Sequence, residues 1–202
     1  MERLRERKKR QTRDTIAAAA LALFLEHGYD AVTVADVAVA ADVSEKTVFN
    51  HFPAKEDLVF ANSEEKLSDR AEAIRSRPPG TPIARVFEAQ TMWLLDQIES
   101  GELDRMMTVP RLVRSSPALL GRLMSAWEQE AATLTAAVTD DADDLIAAAA
   151  VRSLVWAHRI VFRAAMRRLI AGDEPADVAR DLRIEAERVY AQLDRGLAGY
   201  GA

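Results

Sequence analysis

Short polar and basic side chains follow one another between Thr33 and Lys55, where most of the other residues are small and apolar. Hydroxyl, amide, imidazole and ammonium groups of this kind donate hydrogen bonds to phosphate oxygens and to base edges. Nucleic-acid binding is therefore the first chemistry that these residues could perform. The polar residues that helical periodicity would leave facing outward in this stretch are Ser44, Glu45, Lys46, Thr47 and Asn50.

Two short predicted helices would position these side chains. Thr33 precedes a stripe of small apolar residues and has Asp36 three residues later, which is the spacing of a capping box. A turn at Asp42 follows, and Ser44 is placed to cap the next helix, which ends before Pro53. A short helix, a brief turn and a second short helix form the pattern of a helix-turn-helix motif. The inward-facing residues of the second helix are predicted to be Val43, Val48 and Phe52.

The residues from Gly28 to Leu58 read GYDAVTVADVAVAADVSEKTVFNHFPAKEDL. This stretch resembles the signature of TetR-family (AcrR-like) transcriptional regulators in order and spacing, over about the first 60 residues of the chain. The resemblance implies a homodimer whose N-terminal three helices bind double-stranded operator DNA. It also implies a divergent C-terminal domain that dimerises and binds a small-molecule effector, so a repressor released by its effector is expected.

The same resemblance assigns roles within the motif. Thr33 is expected to meet a phosphate, whereas Ser44, Lys46 and Thr47 are expected to approach phosphates and base edges. His51 and Lys55 are expected to contact the DNA backbone near the start of the fourth helix.

The chain departs from the family pattern at Phe49, where the family usually has Tyr. A hydroxyl-to-phosphate hydrogen bond is therefore absent at this position. Either Asn50 substitutes for it, or the Phe49 ring simply packs.

Charge is distributed unevenly along the chain. Residues 1–13 contain seven basic and two acidic side chains, a net charge of +5, whereas the whole chain carries −5. A basic arm on an acidic body is typical of a chain that presents one end to a polyanion. The alternative is a solvated tail without a function.

The pattern of the whole chain predicts an all-α fold. Apolar residues recur at helical spacing, and no segment alternates with period two. The sequence RPPG at Arg77–Gly80 is the clearest break, and longer helices follow it. We predict a DNA-binding domain at residues 1–53 and a ligand-binding and dimerisation domain at residues 54–202. The helices after the motif are predicted at about Ala54–Ile74, Pro82–Ser100, Leu103–Arg114, Ser116–Val138, Asp143–Ala171 and Pro175–Leu197.

An effector site is predicted in the C-terminal domain. Gln90 is a polar residue on an otherwise apolar helix face, and Met and Trp residues nearby in the sequence suit an adaptable apolar pocket. Ordinary core packing is the alternative for each of these residues. The stretch Leu112–Leu123 is similar to TetR members proposed to sense acyl-CoA-like molecules, so a hydrophobic or acyl-type effector is expected. The candidate ligand residues are Phe87, Gln90, Trp93, Met107, Trp127 and His158.

The long helix Asp143–Ala171 carries a second set of hypotheses. His158 lies on its apolar face, so it is either a core or interface histidine bonded to the backbone or a ligand contact. A second stripe is interpreted as a solvated or inter-helix salt-bridging face that could also attract an anionic ligand, and it consists of Arg152, Trp156, Arg159 and Arg163. Dimerisation is expected through the last two helices, with burial of Leu154, Val161, Phe162, Leu182, Val189 and Leu193.

The competing functional classes are a small helical enzyme and a protein-binding adaptor without DNA function. The chain has three histidines, no cysteine, and no HExxH, GxSxG or phosphate-binding glycine loop. No catalytic residue, metal or cofactor is therefore expected. The charged N-terminus does not resemble a signal peptide, and no apolar stretch is expected to span a bilayer, so we predict a cytoplasmic protein without membrane contact.

Overall fold

The computed structural model describes residues 2–61, 63–101, 103–141 and 143–196. These ranges consist of helices and the turns and loops that connect them, and they contain no strand. The predicted all-α fold is confirmed. A 3₁₀ helix occupies Lys55–Leu58. The α-helices are α1 Glu2–His27, α2 Val34–Ala40, α3 Glu45–His51, α4 Ser63–Arg75, α5 Ile83–Glu99, α6 Leu103–Ser115, α7 Pro117–Thr135, α8 Leu145–Ala171 and α9 Pro175–Gly196.

Local capping signals set several helix ends as predicted. The Thr33 hydroxyl accepts a hydrogen bond from the Asp36 amide, and the Asp36 carboxylate accepts one from the Thr33 amide, which completes the capping box of α2. The Ser44 hydroxyl caps α3 by accepting from the Thr47 amide at 3.1 Å. Gly172 ends α8 with φ of +95°, a conformation that favours glycine.

The predicted helix from Ala54 to Ile74 is wrong, because the structure divides this stretch into the 3₁₀ helix and α4. Four consecutive residues, Leu58 to Ala61, are buried in the same core. An α-helix turns by about 100° per residue and cannot direct four successive side chains to one side, so tighter turns replace it. The predicted end of the last helix near Leu197 lies outside the described residues.

The chain forms two compact units. The first contains residues 1–65 and 106–126, and the second contains residues 66–105 and 127–202. The boundary predicted after residue 53, between a DNA-binding domain and a ligand-binding domain, stays a prediction.

The first unit is built on the α1, α2 and α3 helices. Their apolar faces meet around Ile16, Phe24, Val37 and Val48, each at most 1% exposed. Apolar residues of α6 and α7, including Leu112 and Leu119, complete the same core. The α2–α3 pair is therefore held from its inner side, which leaves its outer side to solvent.

The second unit is built on α5, α8 and α9, which pack against one another. Its core contains Phe87, Leu154 and Tyr190, one from each helix. Contrary to the sequence expectation, α8 is long and apolar enough to cross a membrane by length and composition, and it is the one such helix among the described residues. Core helices of soluble proteins pass the same test, and α8 packs against α5 and α9.

Candidate nucleic-acid interface and ligand site

The outer face of α3 presents a compact polar surface. Lys46 and Asn50 are exposed, while Val48 between them is fully buried. Phe49 is 48% exposed, so its ring lies at this surface and does not simply pack into the core. Thr33 and Ser44, at the starts of α2 and α3, are also exposed. The structure therefore brings most of the predicted contact residues to one pair of short helices.

Two of these hydroxyl groups also have a structural task. Ser44 Oγ lies 2.9 Å from Thr47 Oγ1 and caps α3, and Thr33 Oγ1 donates to Asp36 Oδ2 at 2.7 Å. The Thr33 hydroxyl uses its single proton within the cap, and one proton of the Ser44–Thr47 hydroxyl pair is used between the two oxygens. Lys46 and Asn50 are thus the freer donors of this surface.

Lys55 has an internal contact that the sequence did not indicate. Its ammonium donates to the Tyr29 carbonyl at 2.6 Å and lies 4.1 Å from the centroid of the Tyr29 ring. It thereby ties the start of the 3₁₀ helix to the loop that follows α1. Its predicted phosphate contact would be additional to this structural role.

The structural role of Arg13 was not predicted from the sequence, in which Arg13 is the last basic residue of the N-terminal arm. Its guanidinium donates to the His51 carbonyl at 2.8 Å and to the Ala61 carbonyl at 3.0 Å, and it lies 4.4 Å from the Phe52 ring centroid. It therefore fixes the C-terminal end of α3 against α1. The signal available was its place three residues before the apolar stripe that begins at Ile16.

His51 lies at the last turn of α3 and is partly buried. Burial lowers the pKa of its imidazole, and the nearby positive charges of Arg13 and Lys9 lower it further. The ring is therefore neutral near pH 7 and can offer a phosphate an N–H donor but no charge.

The start of α7 contacts the loops of the first unit. Arg122 Nε donates to Asp57 Oδ1 at 2.8 Å, and Ser116 Oγ donates to Asp30 Oδ1 at 3.2 Å. Asp57 also accepts from the Ala54 amide at the start of the 3₁₀ helix. These bonds anchor α7 beside the elements that carry the predicted DNA-contact residues.

In the second unit, a polar cluster lies among α4, α5, α7 and α8. Arg70 Nη1 and Arg159 Nη2 donate to the two carboxylate oxygens of Glu130, and Arg70 Nε donates to Gln90 Oε1 at 2.8 Å. Gln90 therefore satisfies a neighbouring arginine. Neither Arg70 nor Glu130 was singled out in the sequence, because no local pattern connects residues 60 positions apart.

Thr91 is the centre of a second polar group. Its hydroxyl lies 3.0 Å from the Phe87 carbonyl and 2.8 Å from both His158 Nδ1 and Tyr190 Oη. A hydroxyl has one proton and two lone pairs, so Thr91 donates to Phe87 while His158 and Tyr190 donate to it. His158 is thus partnered by a side chain, where a backbone partner had been expected.

Burial lowers the pKa of His158 to about 4, with Arg70 and Arg159 acting in the same direction. The imidazole is therefore neutral at pH 7. Burial likewise raises the pKa of Tyr190 to about 12.

The predicted ligand residues are distributed unevenly. Phe87 and His158 adjoin the two polar groups, and Trp127 lies against Arg159. Trp93 is 61% exposed on α5, and Met107 belongs to the first unit. None of these residues has a tested ligand role, and all six remain predictions. No group of three or more His, Asp or Glu side chains that could hold a metal occurs in the described part of the chain.

The residues expected at the dimer interface need correction at two positions. Leu154 is fully buried and Val161 is 4% exposed within the single chain, so neither side chain is free to pair with a second copy. The exposed large apolar side chains of α8 are instead Leu145, Ile146, Trp156, Ile160 and Ile170. The stripe of Arg152 and Arg159 pairs with Glu128 and Glu130 of α7, as the salt-bridging interpretation predicted.

Known proteins match both the motif and the fold. Residues 16–61 match the profile described as bacterial regulatory proteins, tetR family. The HTH-type transcriptional regulator TcmR of Streptomyces glaucescens is 32% identical over 131 residues, which cover 62% of this chain and 58% of that protein. An HTH-type transcriptional repressor of Mycobacterium tuberculosis is 31% identical over 120 residues, covering 58% and 57% respectively.

The fold also matches the solved structure of a SmeT–triclosan complex. The TM-score is 0.57 at 16% identity, over 92% of this chain and 91% of that one. The chain spans less than two thirds of the length of the two curated relatives. The profile match coincides with the capped α2–α3 pair and its exposed polar face. Over residues 16–61, the chain is therefore similar to the tetR family of bacterial regulatory proteins.

Proposed function

We propose that the chain is a ligand-responsive transcriptional repressor of the cytoplasm that binds a near-palindromic operator as a homodimer. The observation that carries this proposal is the capped α2–α3 pair, whose outer face is polar and exposed while its inner face is anchored in the core. The name of the Mycobacterium tuberculosis relative supports repression as the direction of control.

DNA contact is assigned to the surface predicted from the sequence. Lys46, Thr47 and Asn50 on α3 reach base edges and phosphates, with Thr33 and Ser44 at the helix starts on phosphates. A helix that enters the major groove contacts bases with its N-terminal residues, which suits Lys46 and Thr47. His51, as a neutral donor, and Lys55 contact the backbone beside them.

Dimerisation is assigned to α8 and α9. On α8, Trp156, Ile160 and Ile170 fall within about 80° of arc at 100° per residue, and all three are about half exposed. Ile184 of α9 is 50% exposed as well. An apolar stripe on two adjacent helices is suited to pairing with the same stripe of a second copy across a two-fold axis.

Effector binding is assigned to the second unit. SmeT, which shares the fold, was solved with triclosan, so a protein of this architecture accommodates a small apolar molecule. We extend that capacity to this chain, with Phe87, Gln90, Trp127 and His158 near the ligand. An acyl-type effector is one member of the apolar class that we expect.

A regulator is favoured over an enzyme or a protein-only adaptor. Members of the TetR family are named as transcriptional regulators and repressors, and the functional surface here is a DNA-reading helix pair. An adaptor would not need the exposed Lys46 and Asn50 on a capped short helix.

Selection of genomic DNA fragments tests the proposal. We expect the wild-type chain to retain a small set of fragments and the Lys46→Ala/Thr47→Ala variant to lose them. Lys66→Ala removes an exposed lysine of the second unit and serves as the control that keeps the wild-type set. Retention of no fragment by the wild type, or of the same fragments by the α3 variant, would contradict the proposal.

A further inference from the structure

Two arginines share one carboxylate inside the second unit. Arg70 of α4 and Arg159 of α8 each donate to a different oxygen of Glu130 on α7. The three side chains Arg70, Arg159 and Glu130 are 20%, 13% and 17% exposed, respectively. This Arg70–Glu130–Arg159 cluster therefore holds a net charge of +1 in a poorly solvated place.

No second acidic side chain pairs with this cluster in the described part of the chain, and the negative charge of Glu128 offsets only part of the effect of burial on the pKa of Arg159. Glu130 is the one acidic side chain paired with Arg70 or Arg159 in the described part of the chain. Glu128 is 80% exposed and pairs with Arg152 instead. Gln90, which accepts from Arg70, is neutral. Burial lowers the pKa of both arginines to about 10, so both remain protonated at neutral pH.

One donor of the cluster lacks an acceptor. Arg70 Nη2 is buried and has no hydrogen-bond partner, although the other two nitrogens of the same guanidinium are bonded. Leaving a buried donor unpaired is unfavourable, and more so when the donor is charged. A water molecule could accept this hydrogen bond, but it would not offset the positive charge.

Aromatic rings border the same cluster. The Arg159 guanidinium lies 4.3 Å from the Trp127 ring centroid, and Trp156 meets Trp127 edge-on at 6.2 Å. The Phe87 ring lies 5.5 Å from the Arg70 guanidinium carbon. A cationic centre with an unused donor and apolar walls is suited to an anionic group attached to an apolar body.

We propose that the Arg70–Glu130–Arg159 cluster binds the carboxylate of a small organic acid, with Arg70 Nη2 as its principal donor and Trp127 and Phe87 beside its apolar part. The proposal refines the effector of the proposed function from apolar to apolar and anionic. Binding of the acid itself does not involve DNA, so the two proposals can fail separately.

A cluster that binds a ligand and a cluster that only stabilises the fold should respond to substitution of Arg70 with opposite changes in stability. Arg70→Gln leaves Glu130 and Arg159 as a neutral pair, which removes the uncompensated charge and the unpaired donor together. If the second arginine serves a ligand, this variant should melt at or above the wild-type temperature while losing anion affinity. If Arg70 serves only the fold, the variant should lose stability and leave anion binding unchanged.

The test is titration of the full-length protein with 2-naphthoate and with the neutral 2-naphthamide, in the absence of DNA, followed by calorimetry and tryptophan fluorescence. We expect the wild type to bind the acid at least about tenfold more tightly than the amide, as for a hydrogen bond to a charged group. Arg70→Gln should abolish this preference. Arg152→Gln, which removes an exposed arginine of α8 paired with α7, should retain it.

The comparison of acid with amide in the wild type needs no variant and so does not depend on the folding of Arg70→Gln. Absence of naphthoate binding, equal affinity for acid and amide, or an undiminished preference in folded Arg70→Gln would each overturn the proposal. Failure of operator binding would leave these titrations unaffected.

Discussion

At the scale of single residues, Phe49 is the clearest point where this chain differs from the TetR pattern that its motif resembles. The ring is about half exposed on α3, so a hydroxyl added to it would project from the surface that we propose to face DNA. We predict that Phe49→Tyr strengthens operator binding several-fold, because one additional hydrogen bond to phosphate contributes about 0.5–1.5 kcal/mol. Fluorescence anisotropy with an operator duplex measures the change. Equal or weaker binding would show that the phenylalanine is itself the better contact.

His158 makes the folded state sensitive to acid. Its pKa is about 4 in the folded state, below the ordinary value of 6.5, so the unfolded chain binds more protons between these values. Stability should therefore be full above pH 6.5 and fall as the pH decreases towards 4, by up to about 3 kcal/mol from this residue. His158→Asn, whose amide can still donate to Thr91, should flatten the decline in urea denaturation.

His51 acts in the same direction, because burial and two basic neighbours lower its pKa too. Some pH dependence should therefore persist in His158→Asn. A profile identical to that of the wild type between pH 4 and 6.5 would contradict the assignment of the decline to His158.

At the scale of elements, Lys55 connects the 3₁₀ helix to the loop after α1. Its ammonium bonds to the Tyr29 carbonyl and lies over the Tyr29 ring, so we predict that Lys55→Ala lowers the free energy of unfolding by about 1–3 kcal/mol. It should also weaken binding to all DNA sequences alike. Lys46→Ala is the matched control, since Lys46 is exposed and its removal should weaken operator binding at unchanged stability. Chemical denaturation of both variants separates the two roles.

The elements show which parts of the structure were predictable from sequence. Thr33 with Asp36, Ser44 with Thr47 and Gly172 are local signals, and the helix ends that they set were predicted correctly. The break after Leu58 was missed because the burial of four consecutive residues depends on the packing of distant elements.

The residues of the candidate site likewise fall into those that the sequence could predict and those that it could not. The polar face of α3 follows from a contiguous motif, so its residues could be predicted before the structure was known. Arg13, Arg70 and Glu130 act through partners 20 to 60 positions away, which no periodicity reports. The dimer-face residues Leu154 and Val161 were misassigned because an apolar stripe does not reveal whether its own chain or a second copy covers it.

At the scale of the whole molecule, a negatively charged protein must attract DNA through local positive charge. Residues 4–10 are exposed on α1 and carry five basic side chains, whereas Arg13 just beyond them holds α1 to α3. We predict that deletion of residues 1–10 flattens the dependence of operator affinity on salt, by about 0.9 in log–log slope for each phosphate that the arm neutralises. Sequence preference should be largely retained because the α3 surface is intact. An unchanged slope and affinity would identify the arm as an idle tail.

We propose that two copies of this chain present their α3 helices to one operator. Hydroxyl-radical footprinting of a selected genomic fragment, together with the protein-to-DNA stoichiometry, measures this most directly. We predict two protomers per duplex and two protected half-sites that are related by a dyad. Their centres should be one helical turn apart, roughly 34–36 Å, or a multiple of it. A single half-site bound by one protomer, or protection without sequence preference, would contradict it.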